Sequence, residues 1–365
     1  MPIESNLFSD KKVLVTGHTG FKGSWLCAWL DFLGAKVIGL SDRIPTTPSH
    51  YDVLSKTAHH DVRADIRDRD IVVNTLNKHN PSLIFHLAAQ PIVFDAYEDP
   101  FATFEVNAMG TASILEYLRQ TSSNCVAIFI TSDKCYDNVE WTYGYRESDR
   151  IGGKDPYSGS KGAAELVVKS YFESFISKLS PRIKLGIGRA GNVIGGGDWG
   201  SYRIVPDCAR SWSKNEIPEI RCPQATRPWQ HVLEPLSGYL ALASYLMKSN
   251  DCNGEAFNFG PHAVQNHSVQ ELVEEMMLHW DGNDWLDRSE GNSMPAEAGL
   301  LKLCCDKALH QLKWRSTLDF QETAKWTADW YKTYYQNGPH EAKKLTNAQI
   351  SEYMKLSGSR KTFHL

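Results

Sequence analysis

The first half of the chain alternates short apolar runs with longer amphipathic stretches, a pattern typical of parallel strands joined by helices. The apolar runs predict strands at Val13–Thr16, Lys36–Leu40, Leu83–Leu87, Val126–Thr131 and Leu185–Arg189. The amphipathic stretches predict helices at Lys22–Leu33, Arg69–Lys78, Phe101–Thr121 and Tyr157–Ser177. We therefore expect an α/β fold with a doubly wound parallel sheet and helices on both faces.

The pattern changes after about Arg189, where glycines and prolines indicate longer loops. Helices are predicted at Pro235–Ser249 and Ser268–Trp280, and Ala256–Gly260 predicts a strand that returns to the main sheet. We expect residues 1–189 to form the first domain, with later segments near 228–260 returning to it. Residues 190–365 are expected to form a smaller, interleaved substrate-binding domain.

Composition narrows the class of protein. Of 365 residues 42% are hydrophobic, and 39 basic against 43 acidic residues give a net charge of −4. These values exclude a disordered chain and indicate no nucleic-acid or membrane-surface partner. No stretch approaches the roughly 18 apolar residues of a membrane-spanning helix. The eight cysteines form no CxxC pair, so we expect reduced thiols, no metal and a cytoplasmic location.

A glycine-rich turn links the first strand to the first helix. Gly17 would permit a tight turn, Gly20 a close approach of the backbone to a pyrophosphate, and Gly23 close packing of helix on strand. The pyrophosphate would lie at the helix N-terminus, where free N–H groups favour anions. This order of strand, turn and helix predicts a dinucleotide-binding Rossmann domain, with further contacts from Thr19, Phe21 and Lys22.

Other predicted cofactor contacts follow later strands. Asp42, 19 residues after Gly23, would bind ribose hydroxyls and favour NAD, whereas the adjacent Arg43 favours a 2′-phosphate. The pair could instead be solvated loop charges. Asp65 and Ile66 are predicted on the adenine side. Small and apolar residues are predicted near the pyrophosphate and the nicotinamide ribose, although tight packing would also explain them: Leu87, Ala88 and Ala89.

Two groups of residues suggest acid–base chemistry. Tyr157 and Lys161 stand at i and i+4, which places both on one helix face, and an ammonium near a phenol favours the phenolate. Tyr157 could then take a proton from a substrate hydroxyl as hydride leaves carbon. Ser132, Asp133 and Lys134 follow a predicted strand, at the edge where parallel sheets bind ligands. The additional acid and base permit elimination of water, unless Asp133 and Lys134 form only a structural ion pair.

Together these motifs resemble the extended short-chain dehydrogenases/reductases that act on nucleotide sugars, and Asn107 matches their structural asparagine. Three longer segments resemble the CDP-glucose 4,6-dehydratases: 131–138, 191–199 and 227–236. The dTDP-glucose dehydratases are less similar, since they carry Asp-Glu in place of Asp133-Lys134. The resemblance covers the chain from Lys12 to about Trp330.

The resemblance implies a reaction and a site. NAD would be reduced and regenerated in each cycle, Tyr157 with Lys161 and Ser132 would act at C4, Lys134 at C5 and Asp133 at the 6-hydroxyl. The implied product, CDP-4-keto-6-deoxyglucose, would serve deoxysugar and O-antigen synthesis. The helices 101–121 and 157–177 would pair in a homodimer. Predicted substrate contacts are Gln90, Asn192, Arg203, Arg221, Arg227 and His231.

Two departures from the family pattern concern the substrate. Phe94 stands where the family usually has arginine, and Gly159 where asparagine is usual. A dehydratase for another nucleotide hexose therefore remains an alternative. A nucleotide-sugar 4-epimerase shares the cofactor, Tyr157 and Lys161, but does not need Asp133 and Lys134. A non-catalytic nucleotide-binding protein would need none of these four side chains.

Overall fold

The computed structural model describes residues 4–55, 58–262, 265–280, 284–289 and 300–362. The strands are β1 Lys12–Thr16, β2 Lys36–Ser41, β3 His60–Arg63, β4 Leu83–His86, β5 Cys125–Ile130, β6 Ile183–Ala190, β7 Val193–Ile194, β8 Glu219–Ile220, β9 Thr226–Arg227, β10 Gln230–His231, β11 Ala256–Phe259, β12 His267–Ser268 and β13 Leu286–Asp287. In this part of the chain the main sheet has seven parallel strands in the order β11-β6-β5-β4-β1-β2-β3.

The helices lie mainly between these strands and after them. They are α1 Phe21–Phe32, α2 His50–Val53, α3 Arg69–His79, α4 Val93–Glu98, α5 Pro100–Phe104, α6 Gly110–Gln120, α7 Pro156–Ser174, α8 Ile204–Ser213, α9 Leu233–Lys248, α10 Val269–Met277, α11 Asp306–Leu312, α12 Phe320–Asn337 and α13 Pro339–Thr362. None of the described helices is both long enough and apolar enough to cross a membrane.

The predicted doubly wound parallel sheet is confirmed. One apolar layer includes α1 and α9, and the layer on the opposite face includes residues of α3, α6 and α7. The strand order reverses beside β1, because β2 lies on one side of it and β4 on the other. In such sheets ligands bind in the crevice at the carboxyl ends of the strands near this point.

Two of the differences from the sequence-based expectations concern the first half of the chain. Strand β3 was not predicted, because its residues are mostly exposed at the sheet edge and form no apolar run. The predicted helix 101–121 is interrupted by a π-helical turn at Glu105–Met109, between α5 and α6. The turn contains Asn107, and such turns often occur at functional sites.

Helix α13 packs across α1 and α12. Thr346 of α13 lies 3.2 Å from His50 Nε2, and the Tyr353 hydroxyl donates to Glu234 Oε2 at 2.7 Å. Glu234 is 1% exposed and also accepts hydrogen bonds from the backbone of Thr317 and Leu318. Helix α13 thus covers the back of the first helix and contacts the start of α9.

Candidate active site

The turn between β1 and α1 has the shape that a dinucleotide needs. Gly17 has φ +70°, and a Cβ there would lie 2.8 Å from the backbone N of Ala88. A Cβ at Gly23 would lie 2.1 Å from the Gly17 carbonyl oxygen. No side chain of the described residues caps α1 at Gly20, so its first N–H groups are available to an anion. These residues fit a dinucleotide pyrophosphate.

The buried side chain of His18, within this turn, contacts the two neighbouring strands. The His18 ring lies 2.9 Å from Ser41 Oγ through Nδ1 and 3.0 Å from Asp61 Oδ1 through Nε2. Asp61 also accepts a hydrogen bond from Tyr51 at 2.5 Å. Burial lowers the pKa of His18, although the Asp61 carboxylate opposes that shift. These hydrogen bonds connect the end of β1 with β2 and β3. The sequence did not indicate them, because His18 and Asp61 are 43 positions apart.

The residues predicted near the adenosine lie at the ends of β2 and β3. Asp42 and Arg43 are exposed, and the Arg43 Nε lies 3.7 Å from Asp42 Oδ2. Thr19 Oγ1 donates to the Arg43 carbonyl oxygen at 2.6 Å. Asp65 is engaged by the Arg67 guanidinium at 2.7 Å, which holds the Asp65 pKa below its usual value. The carboxylate of the predicted adenosine contact Asp65 is therefore paired with an arginine of the same chain.

Beyond β4, the chain is held by hydrogen bonds to small side chains. Leu87 and Ala88 both donate backbone N–H groups to Thr16 Oγ1, at 3.1 and 3.0 Å. Asn107 accepts from the backbone N–H of Gln90 at 2.9 Å and donates to Ser160 Oγ at 2.8 Å. Asn107 thereby joins the β4 loop, which continues through the half-buried Ala89, to helix α7.

The structure brings the five residues predicted for acid–base chemistry to the same edge of the sheet. Ser132 Oγ donates to Asp133 Oδ1 at 2.8 Å, and Lys134 Nζ lies 3.8 Å from Asp133 Oδ2. Ser132 also acts on the Tyr157 hydroxyl, where it opposes the rise in pKa that burial causes. Lys161 Nζ lies 5.9 Å from the centre of the Tyr157 ring. Helix α7 begins at Pro156 and is capped by Asp155, whose carboxylate accepts from Ser158 N at 2.9 Å.

Asp133 is the most enclosed of these groups, with 3% of its side chain exposed. Its Oδ2 is buried and has no hydrogen-bond partner among the described residues. A Cβ at Gly191 would lie 3.1 Å from this oxygen, so the loop after β6 leaves it room. A buried polar oxygen without a partner is costly unless a ligand meets it.

Burial shifts the pKa values of the tyrosine–lysine pair. It raises the pKa of Tyr157 to about 12, while the hydrogen bond to Ser132 acts in the opposite direction. Lys161 is not among the main causes of this shift, so the expectation that its ammonium favours the phenolate stays a prediction. Burial, with the charge of Lys22, lowers the pKa of Lys161 to about 8. The pKa of Lys22 is also lowered to about 8, by burial and by Arg203.

The predicted substrate contacts fall into two groups. Those within reach of the cleft include Asn192, which is half-buried, and Arg203, which pairs with Asp198 at 2.5 Å. Arg221 lies 6.0 Å above the Tyr202 ring. Arg227 is 6% exposed. The amide of Gln90 is instead occupied by the backbone of Ile92.

His231 does not reach the cleft surface. It is 0% exposed, its Nδ1 accepts from the backbone N–H of Leu233 at 3.3 Å, and its ring lies against Trp25 and Trp326. Burial lowers its pKa to about 3. These contacts indicate a neutral, structural histidine.

A buried ion pair joins helix α7 to the end of β6, next to the acid–base residues. Glu165 of α7 accepts from Arg189 Nε at 2.7 Å and from Thr131 Oγ1 at 2.6 Å, and both charged side chains are at most 3% exposed. Arg189 Nη1 also donates to the Tyr136 hydroxyl at 2.7 Å. The pair fixes α7 against the ends of β5 and β6. Sequence reasoning missed it, because neither residue belongs to a motif.

We expect Glu165→Gln to destabilise the protein by about 3–5 kcal/mol, because it leaves the Arg189 charge buried without its partner. Urea unfolding followed by circular dichroism measures the change. The control is Lys325→Ala, which breaks an exposed pair with Asp329 at 2.6 Å and should cost at most about 1 kcal/mol. Equal unfolding midpoints for the two variants would contradict the assignment.

The comparisons with known proteins agree with this geometry. The model of the family described as GDP-mannose 4,6 dehydratase matches residues 14–327. The chain therefore belongs to the GDP-mannose 4,6 dehydratase family. It is 42% identical over 358 residues to the CDP-glucose 4,6-dehydratase of Salmonella typhimurium, covering 96% of this chain and 98% of that protein. This relative confirms the resemblance predicted from the motifs.

Solved structures share the fold. The dTDP-glucose 4,6-dehydratase of Bacillus anthracis, in complex with NAD, has a TM-score of 0.72 at 17% identity, over 88% of this chain and 97% of that one. The UDP-glucose 4-epimerase of Thermotoga maritima, with UDP-glucose, has a TM-score of 0.76 at 20% identity, over 89% of this chain and 100% of that one. Dehydratases and epimerases therefore share this architecture, so the fold does not separate the two reactions.

Proposed function

We propose that this protein is an NAD-dependent CDP-glucose 4,6-dehydratase. The proposal depends mainly on Asp133: its buried Oδ2 has no hydrogen-bond partner among the described residues and lies 3.8 Å from Lys134 Nζ, in the group that includes Tyr157. A 4-epimerase has no need of an acid and a base at C5 and C6, whereas a dehydratase needs both. The 42% identity to a CDP-glucose 4,6-dehydratase supports the same reaction and the same substrate.

The cofactor would lie along the turn from Gly17 to Gly23, with its ribose near Asp42 and Arg43 and its nicotinamide end near Leu87, Ala88 and Ala89. Bound NAD supplies a hydride acceptor at C4 of the sugar and a donor at C6. The N-terminus of α1 would bind the pyrophosphate. Tyr157 and Lys161 would face the nicotinamide ribose from α7.

The side chains would divide the proton transfers between them. Tyr157, oriented by Ser132, takes the proton of the 4-hydroxyl as the phenolate, a form that the positive charge of bound NAD would favour. The resulting 4-keto group acidifies the C5 proton, which Lys134 removes. Asp133, whose Oδ2 faces the space beside Gly191, donates a proton to the departing 6-hydroxyl. The Asp133–Lys134 pair would hold one proton, which lies on Asp133 before this step, so that the Lys134 amine is neutral and can act as the base. Oxidation must come first, because C5 is not acidic before the ketone forms.

The diphosphate and nucleoside would be bound by the loops that follow β6. Arg203, Arg221 and Arg227 supply guanidinium groups, which match phosphate oxygens in pairs. Asn192 and Gln90 are polar groups at the sugar end, and Gln90 must release Ile92 to contact substrate. His231 would act through packing of the loop rather than by touching the substrate.

We propose a homodimer formed through α5, α6 and α7. Several apolar side chains on these helices and the adjoining π turn are exposed: Phe101 73%, Phe104 39%, Met109 60% and Leu166 58%. Exposed apolar side chains on neighbouring helices are typical of a protein interface and support this assembly. A sedimentation mass equal to one chain would contradict this assembly. We further propose a cytoplasmic enzyme that supplies a deoxysugar precursor for lipopolysaccharide O-antigen.

The function is tested by incubating the purified protein with CDP-, dTDP- and GDP-glucose and measuring the alkali-induced absorbance of a 4-keto product. CDP-glucose should give this product with no net consumption of added NAD, since the cofactor is regenerated in each cycle. Denatured protein should release NAD(H). Formation of CDP-galactose without a 4-keto product would indicate an epimerase, and release of NADP(H) alone would contradict Asp42 as the ribose ligand.

A further inference from the structure

Two aromatic side chains meet across the cleft. Phe94 is the second residue of α4, on the cofactor side, and Tyr202 precedes α8, on the substrate side. Their ring centroids are 4.6 Å apart with an interplanar angle of 48°. Arg221 lies over the Tyr202 ring. The contact joins the loop before α8 to the helix after β4.

The backbone at Tyr202 is in the left-handed region, with φ +61°. A bulky non-glycine residue is disfavoured there, and such a conformation persists where contacts on either side hold it. The Tyr202 side chain is 55% exposed, whereas the next residue, Arg203, turns inward. Arg203 pairs with the carboxylate of Asp198, and its charge adds to the burial that lowers the pKa of Lys22.

Asp198 holds the same loop from its other end. Its Oδ1 accepts from the backbone N–H of Gly200 at 3.0 Å, and its Oδ2 accepts from Arg203 Nη1 at 2.5 Å. Asp198 is 7% exposed. The segment 198–203 is therefore fixed at one end by a buried carboxylate and at the other by the ring of Phe94.

We propose that Phe94 and Tyr202 form an aromatic clasp that positions Arg203 for the diphosphate of the substrate. Phe94 is thus a positioning residue that acts on phosphate binding through Tyr202. The proposal rests on the proposed function, which assigns the diphosphate to Arg203. A guanidinium binds two phosphate oxygens only in a restricted orientation. Loss of the clasp therefore reduces the fraction of protein molecules in which Arg203 is oriented to bind the diphosphate.

The test compares the dissociation constants of CDP and cytidine for the purified holoenzyme by calorimetry. Phe94→Leu should weaken CDP binding about five- to tenfold, the magnitude of one aromatic contact, and leave cytidine binding unchanged. Tyr202→Asn should do the same without unfolding the loop, because asparagine tolerates the left-handed conformation. The matched control is Tyr97→Leu, an exposed aromatic residue of the same helix, which should bind CDP like the wild type.

The route through Arg203 is tested by combining variants. In an Arg203→Gln background, Phe94→Leu should weaken CDP binding no further. Additive losses, or equal losses for CDP and cytidine, would overturn the clasp. Unchanged CDP binding by Phe94→Leu in a protein whose wild type dehydrates CDP-glucose would overturn the clasp alone. A wild type that binds no CDP would overturn both the clasp and the proposed function.

Discussion

Tyr157→Phe is expected to stop oxidation at C4 while leaving CDP-glucose binding intact. The substitution keeps the ring between Ser132 and Lys161 but removes the hydroxyl that takes the substrate proton. General acid–base groups contribute about 10²- to 10⁴-fold, so the rate of cofactor reduction should fall by that factor. Single-turnover absorbance of the reduced nicotinamide measures the rate, and calorimetry measures binding.

Tyr143→Phe serves as the matched control for that variant, because Tyr143 is 75% exposed. It should react like the wild type. A Tyr157→Phe protein that reduces its cofactor at a rate near that of the wild type would remove Tyr157 from the mechanism. Loss of CDP-glucose binding in the same variant would instead point to a packing defect around Ser132.

Lys134→Ala is expected to separate oxidation from dehydration. Oxidation at C4 depends on Tyr157, so the variant should still reduce its cofactor with CDP-glucose. Removal of the C5 proton needs Lys134, so product formation should fall by about 10²-fold or more, and solvent deuterium should no longer enter C5 at a comparable rate. Mass spectrometry of the recovered sugar nucleotide measures the deuterium.

Asp133→Asn should fail at a different step. An amide cannot donate the proton that the 6-hydroxyl needs, so the C5 position should still exchange while water is lost slowly. Lys154→Ala, an exposed lysine before α7, is the control for both variants. Normal turnover by Lys134→Ala would refute Lys134 as the base at C5.

The sequence was most informative where one local motif defines both the conformation and the chemistry. The glycine turn at Gly17 and Gly23 is determined by close backbone contacts, and the spacing of Tyr157 and Lys161 by one helical turn. Ser132, Asp133 and Lys134 follow a strand whose end could be read from its apolar run. These features depend on neighbours in the chain, which explains why local patterns predicted them.

The features that were missed depend on residues far apart in the sequence. Glu165 and Arg189 are 24 positions apart and meet only because α7 packs on β6. The effect of burial on the Tyr157 pKa was also missed, because spacing along the chain does not reveal burial. His231 lies in a segment that resembles a substrate-binding motif, yet its ring is enclosed by Trp25 and Trp326. In each case tertiary packing decided the outcome.

The position of helix α13 affects the order in which parts of the chain can pack during synthesis. It is synthesised after every other described element, yet it covers α1, the first helix of the nucleotide-binding turn. On the ribosome the amino-terminal sheet can form early, since domains fold as they emerge. The face of α1 that packs against α13 stays uncovered until α13 has formed. Thr346 and Tyr353 of α13 can then make their hydrogen bonds to His50 and Glu234. The cofactor-binding half therefore gains its packing against α13 only after that helix has been synthesised.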